Sequence, residues 1–209
     1  MSKFTKEWEE SRTGIKAIIR PEAPLRQKIE LAARRVETQI QYLNGAVQLL
    51  TQRDKALFSK IVDAYSRHDM QRANVYANEL AELRKMANFM MNAELALERV
   101  ALRLRTVTQL GNVAATLAPI SKVLQSVRTG VSSIFPGAER ELSEIGILLD
   151  EIMIEASQTT GMTPDFEVAS EEAQKILNEA ALVAEQRMKE RFPELPTLRA
   201  PTEELGQYK

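Results

Sequence analysis

The apolar positions of this chain fall into long stripes stepped by three and four, with polar positions filling the gaps. The first stripe takes Leu25, Ile29, Ala32, Val36, Ile40, Leu43, Val47 and Leu50 and continues through Leu57, Ile61 and Tyr65. The second takes Ala73, Tyr76, Leu80, Leu83, Ala87, Met90, Leu97, Val100, Leu104 and Val107. Such spacing puts each stripe on one side of an α-helix, and two stripes bury each other when the chain folds back. The pattern predicts a long antiparallel helical hairpin over residues 24–110, with arms roughly 60 Å long at about 1.5 Å per residue. The period slips at Arg67, His68 and Asp69, which places the turn there and makes Asp69 the N-cap of the second arm.

Gly111 and Asn112 interrupt the helical pattern, and a third stripe follows at once: Val113, Leu117, Ile120, Leu124, Val127, Val131 and Ile134. Pro119 lies inside it. An interior proline removes a backbone hydrogen bond and crowds the preceding turn, at a cost of about 3 kcal/mol, so a kink or a new helix is expected there. Pro136-Gly137 closes the third segment, giving a helix within 112–135 and a fourth over 138–158. The fourth carries Leu142, Ile145, Leu148, Leu149 and Ile152 on one side and Glu139, Glu141, Glu144, Asp150, Glu151 and Glu155 on the other. A loop over 157–165 leads to a fifth helix over about 170–191, acidic at its start and basic at its end, as the helix dipole favours. Its apolar face, with Ile176, Leu177, Ala180, Val183 and Met188, is narrow and predicts weak docking. Beyond it, Phe192, Pro193, Leu195, Pro196 and Pro201 cannot extend a helix and favour an extended, polyproline-like peptide that a groove can read, or else a disordered terminus.

Residues 1–23 hold the only tryptophan. Phe4, Trp8, Ile15, Ile18 and Ile19 share a potential helix face flanked by basic residues that include Arg20, a composition suited to a membrane interface. Glu7, Glu9 and Glu10 interleave with them, so a flexible tail or a small element docked on the hairpin is the alternative. Arg26, Lys28, Arg34 and Arg35 make the start of the first arm basic and able to meet phosphate groups, or to pair with Glu30 and Glu37 along the helix.

Composition narrows the chemistry. Glycine and proline number eight each in 209 residues and aromatics make up 5%, which favours helix over sheet. There is no cysteine, and the single histidine has no ligand partner at helical spacing, so thiolate and metal chemistry are not expected. No phosphate-cradling glycine loop or nucleophile elbow is present, and neither an enzyme nor a cofactor is expected. The net charge of −1 conceals a division: residues 1–110 carry 19 Lys and Arg against 13 Asp and Glu, whereas residues 111–209 carry 9 against 16. The two halves attract each other, or the basic half meets an anionic surface when the acidic half leaves; the alternative is two solvated helix faces of differing composition.

Three stretches then carry a family resemblance. Residues 67–86 (RHDMQRANVYANELAELRKM) resemble the turn and second-helix start of the ESCRT-III family, and residues 141–161 (ELSEIGILLDEIMIEASQTTG) resemble that family's fourth-helix signature. The tail, through Phe192, Pro193, Leu195 and Pro196 with Pro201 after them, is similar to the second type of MIT-interacting motif. Together the similarity covers about residues 25–201, and the wording of the three stretches is most similar to the archaeal cell-division members, the CdvB group.

The resemblance implies an all-α, ESCRT-III-like fold: a long antiparallel hairpin with shorter C-terminal helices packed on it or released from it. It implies three regions: an amphipathic segment at 1–23, a helical core at 24–161, and an acidic helix with a proline-rich tail at 162–209. It implies a non-enzymatic filament subunit that polymerises on membranes and drives constriction or scission in cell division or vesicle budding. Its partners would be further ESCRT-III paralogues, an anionic membrane surface at the cytoplasmic face, and the MIT domain of an AAA ATPase (CdvC in archaea). Nucleic acid is not among them. Gly111, Pro119, Pro136 and Gly137 would be hinges between closed and open states. The chain ends at Lys209, short of the winged-helix segment through which longer CdvB proteins contact CdvA, so direct CdvA binding is not expected. The competing expectation is a helical coiled-coil adaptor or scaffold without membrane activity.

Overall fold

The structure, a computed structural model, describes residues 24–110, 113–132, 134–161 and 163–192. Among them the chain forms five helices: α1 (Leu25–Ser66), α2 (Met70–Leu110), α3 (Val113–Val131), α4 (Pro136–Thr160) and α5 (Phe166–Arg191). All regular structure among the described residues is helical, as the apolar period predicts.

The hairpin forms where expected. The Asp69 N–H donates to the Ala64 carbonyl (2.9 Å) and the His68 N–H to the Tyr65 carbonyl (3.0 Å), while His68 takes the left-handed φ of 57°. This pair of bonds closes the orphaned carbonyls at the end of α1. The Arg72 N–H then donates to the Asp69 carboxylate at 3.1 Å, so Asp69 caps α2. Side-chain links across the hairpin record its antiparallel register: Arg84 with Asp54, Asn44 with Glu94 and Arg105 with Glu37.

Along the apolar stripes of the two arms, Leu25, Ile29, Val36, Leu43, Val47, Leu80, Met90, Leu97 and Leu104 are all buried. The stripe on α2 is wider than the period alone indicates, because Met91, Ala93, Leu95 and Ala96 are buried as well. The cause is tertiary: α2 packs against α1, α3 and α5.

α3 runs through Pro119 as one helix, so no new helix begins there. Pro119 is buried with Val113, Leu117, Ile120, Leu124, Val127 and Val131, and α3 touches α2, α4 and α5. Two expected boundaries move. α3 ends at Val131 rather than near 135, with the Phe135 N–H returning to the Val131 carbonyl at 2.8 Å. α4 begins at Pro136 rather than 138, because proline at the first helical position lacks only an N–H that would be unpaired anyway. α4 continues to Thr160, where Gly161 at φ 68° supplies the left-handed stop.

α5 starts four residues earlier than expected, since Asp165 accepts from the N–H groups of both Glu167 and Val168. Its buried line is mostly alanine: Ala169, Ala173, Ile176, Ala180 and Ala184. Small side chains let α5 lie close to α2 and α3, and Leu177, Val183 and Met188 pack at the margins of the same core. The seam runs the length of α5 and ends at Phe192, which is buried.

Candidate functional site

The division of charge along the chain becomes a physical seam. On one side, Lys28 Nζ lies 2.7 Å from Glu155 and Arg35 Nη1 lies 3.5 Å from Glu144, tying α4 to α1. On the other, Arg103 Nη1 lies 2.8 Å from Glu172 and Arg99 Nη2 lies 3.6 Å from Glu179, tying α5 to α2. Lys122 adds a hydrogen bond of 2.8 Å to the Phe166 carbonyl at the start of α5. The acidic helices are thus held on the basic hairpin by charge as well as by packing.

These links differ in strength. Lys28 and Glu155 are 19% and 15% exposed, so their pair is charge-assisted and poorly screened by salt. The other three pairs are exposed, where such contacts contribute about 0–1 kcal/mol each and weaken with ionic strength. Beside them, Glu139 faces Arg128 at 3.7 Å and Asp150 accepts from the Ser121 hydroxyl at 2.8 Å, so the acidic face of α4 also serves its packing on α3.

A second feature lies farther along the hairpin. Arg84 grips Asp54 with two parallel bonds, Nε to Oδ1 at 2.6 Å and Nη2 to Oδ2 at 3.2 Å. Asp54 is buried, and the Phe192 ring stands 5.9 Å from the guanidinium carbon. Neither Asp54 nor Arg84 stood out as a candidate in the sequence. The signal was a break in the first stripe: Asp54 takes the position between Leu50 and Leu57 that the period reserves for an apolar residue. Glu94 breaks the second stripe in the same way, between Met90 and Leu97, and it too is buried, accepting from Asn44 Nδ2 at 2.7 Å.

The residues singled out from sequence are distributed as follows. Arg26 is exposed and pairs with Glu30 at 3.2 Å; Arg34 is exposed; Lys28 and Arg35 are engaged by α4. Phe4, Trp8, Ile15 and Arg20 lie outside the described residues, as do Gly111, Pro193, Leu195, Pro196 and Pro201. Pro119 sits within α3, Pro136 opens α4, and Gly137 follows it with open space where a Cβ would stand. His68 is an exposed turn residue. Among the described residues no cluster of three His, Cys, Asp or Glu side chains is placed to hold a metal, and no helix is long and apolar enough to cross a membrane.

The chain is 40% identical over 193 residues to Cell division protein B1 of Sulfolobus acidocaldarius, a match covering 92% of this chain and 89% of that protein. It is 36% identical over 154 residues to Cell division protein B of the same organism, covering 74% of this chain and 59% of that longer relative. No family model matches, and no solved structure does.

Proposed function

Because the chain belongs to the CdvB-type cell-division proteins of the ESCRT-III family, we propose that it is a membrane-remodelling filament subunit. It acts in archaeal cell division. It assembles with copies of itself and with paralogues on the cytoplasmic face of the membrane at the division site, and it constricts that membrane rather than catalysing a reaction. An AAA ATPase takes the polymer apart by reading the tail motif of Phe192, Pro193, Leu195, Pro196 and Pro201 through its MIT domain.

The observation that carries this reading is the use of Lys28 and Arg35. Both belong to the basic cluster suited to lipid phosphates, and both are paired here with carboxylates of α4. Acidic α4 therefore stands where an anionic surface would stand, and headgroups compete with Glu144 and Glu155 for the same two cations. Departure of α4 frees them, along with the apolar face of the hairpin for a neighbouring subunit. Gly111, Pro119 and the Pro136-Gly137 pair are the backbone positions at which that rearrangement pivots. Residues 1–23 add apolar and basic side chains on the membrane side.

Co-sedimentation with vesicles rich in anionic lipid, combined with electron microscopy, tests the proposal. The full chain should bind in a salt-sensitive manner, and a chain carrying Glu144→Gln with Glu155→Gln, which releases Arg35 and Lys28 from α4, should bind more strongly and form filaments. A protein that stays monomeric and ignores vesicles in both forms would leave the coiled-coil adaptor as the better description. For the tail, Leu195→Asp should abolish binding to the ATPase's MIT domain while filaments still form.

A further inference from the structure

α4 covers only the first part of α1. Lys28 and Arg35 hold Glu155 and Glu144, and the Tyr42 ring meets Phe135 edge-on at 6.0 Å, just before α4 begins at Pro136. Lys28, Leu31, Arg35 and Tyr42 form one line along α1, and the helical step carries that line on through Leu49, Arg53 and Ala56. All three are exposed, Leu49 by 49%, and Arg53 has no ion pair among the described residues. Gly45, a turn before Leu49, has open space where a Cβ would stand, so another helix can come close there. α4 carries a matching line on the side turned away from the core. Ile147 and Ile154 are 57% and 59% exposed, and between them Glu151 is exposed and has no ion pair among the described residues. The two lines share their steps: Ile147, Glu151 and Ile154 advance by four and then three, as do Leu49, Arg53 and Ala56. One is apolar around a carboxylate, the other apolar around a guanidinium.

We infer that two copies of this chain pair about a twofold axis, the outer face of α4 in each lying on the bare part of α1 in the other. Direction supports the arrangement. Within one chain α4 runs antiparallel to α1, since Lys28 meets Glu155 and Arg35 meets Glu144. A second copy turned end for end therefore lays its α4 parallel to the first copy's α1, the sense in which the two lines match step for step. Shape supports it as well. α4 raises one part of the hairpin and leaves the other low, so the turn that seats one α4 seats both. Ile147 then lies on Leu49, Ile154 lies on Ala56, and Glu151 meets Arg53, at each of two equivalent places. Lys28 and Arg35 already show that this line of α1 accepts an acidic helix. The contact is isologous and closes at two copies. It forms with α4 in place, so it is separate from filament assembly by a released hairpin, and its failure leaves that proposal standing.

Sedimentation equilibrium of the full chain without lipid tests the inference and should give a dimer. Glu151→Arg and Arg53→Glu each set like charges against one another at both places, and each should weaken dimerisation roughly tenfold. The two substitutions together restore the attraction with reversed sign and should return the original affinity. Both side chains are exposed and outside the ion pairs of the fold, so circular dichroism should show all three variants folded. The chain has no cysteine, so Leu49→Cys with Ile147→Cys introduces its only thiols. Facing across the contact, they should oxidise to a covalent dimer and to nothing longer. A chain that is monomeric at every concentration, a dimer indifferent to both single charge reversals, or an oxidised ladder of three or more copies overturns the inference.

Discussion

Lys28 Nζ and Glu155 Oε2 stand 2.7 Å apart although 127 residues separate them in the chain. The pair joins the basic entry of α1 to the acidic face of α4 and is more shielded than the other ion pairs between the hairpin and α4 or α5. Glu155→Gln should therefore destabilise the fold by about 1–3 kcal/mol, since it leaves a half-shielded ammonium without its counterion. Glu144→Gln, acting on an exposed pair, should cost less than about 0.5 kcal/mol. Urea unfolding of the two variants measures the difference, and equal losses would show that shielding does not set the strength of the seam. The exchange Lys28→Glu with Glu155→Lys should recover most of the stability.

At Gly130 a close approach between helices depends on a missing side chain. A Cβ there would fall 2.1 Å from the tip of the Phe89 ring, so the ring of α2 occupies the space that glycine leaves on α3. Gly130→Ala should cost about 1 kcal/mol net, because the half-exposed ring must swing aside and surrender its packing, which outweighs a gain in helix propensity near a helix end. In a Phe89→Ala background the same substitution should be neutral or stabilising. A double-mutant cycle on thermal unfolding isolates this coupling.

Glu94 offers a test inside the hairpin. Its carboxylate is 2% exposed and accepts one bond from Asn44, while Oε2 has no hydrogen-bond partner. Glu94→Gln keeps an oxygen for Asn44 and removes a buried charge, so stability should rise by about 1 kcal/mol or more. Asn44→Ala, which strips the carboxylate of that bond, should lower stability by about 2 kcal/mol. Denaturant titration distinguishes them by sign. A loss in both variants would mean that the charge itself is needed, as when it fixes the register of α1 against α2.

Much of the fold was legible because helix periodicity is a local property. The stripes from Leu25 to Tyr65 and from Ala73 to Val107 placed α1 and α2, and the slip at His68-Asp69 placed their turn. Val113 to Val131 placed α3, although Pro119 proved compatible with an unbroken helix. What escaped was small or polar. The alanine line of α5 carries little hydrophobic signal per residue, so Ala169, Ala173 and Ala184 were not legible as its buried face. Asp54 and Glu94 were visible only as gaps in the stripes, and Arg84 was one basic residue among many on α2.

The chain's own residues determined that there are five helical segments and where the hairpin turns, that one half is basic and the other acidic, and that a proline-rich motif follows the last helix. Each of these depends on neighbours within a turn or two, or on composition summed over a long segment. Only the tertiary structure decided which carboxylate meets which cation, that α4 takes Lys28 and Arg35, and that Phe192 ends against Arg84 and Asp54. Those pairings join residues far apart in sequence, and they follow from how whole helices pack. Apolar period and net charge establish that the helices can attract one another; the shapes of their faces establish where.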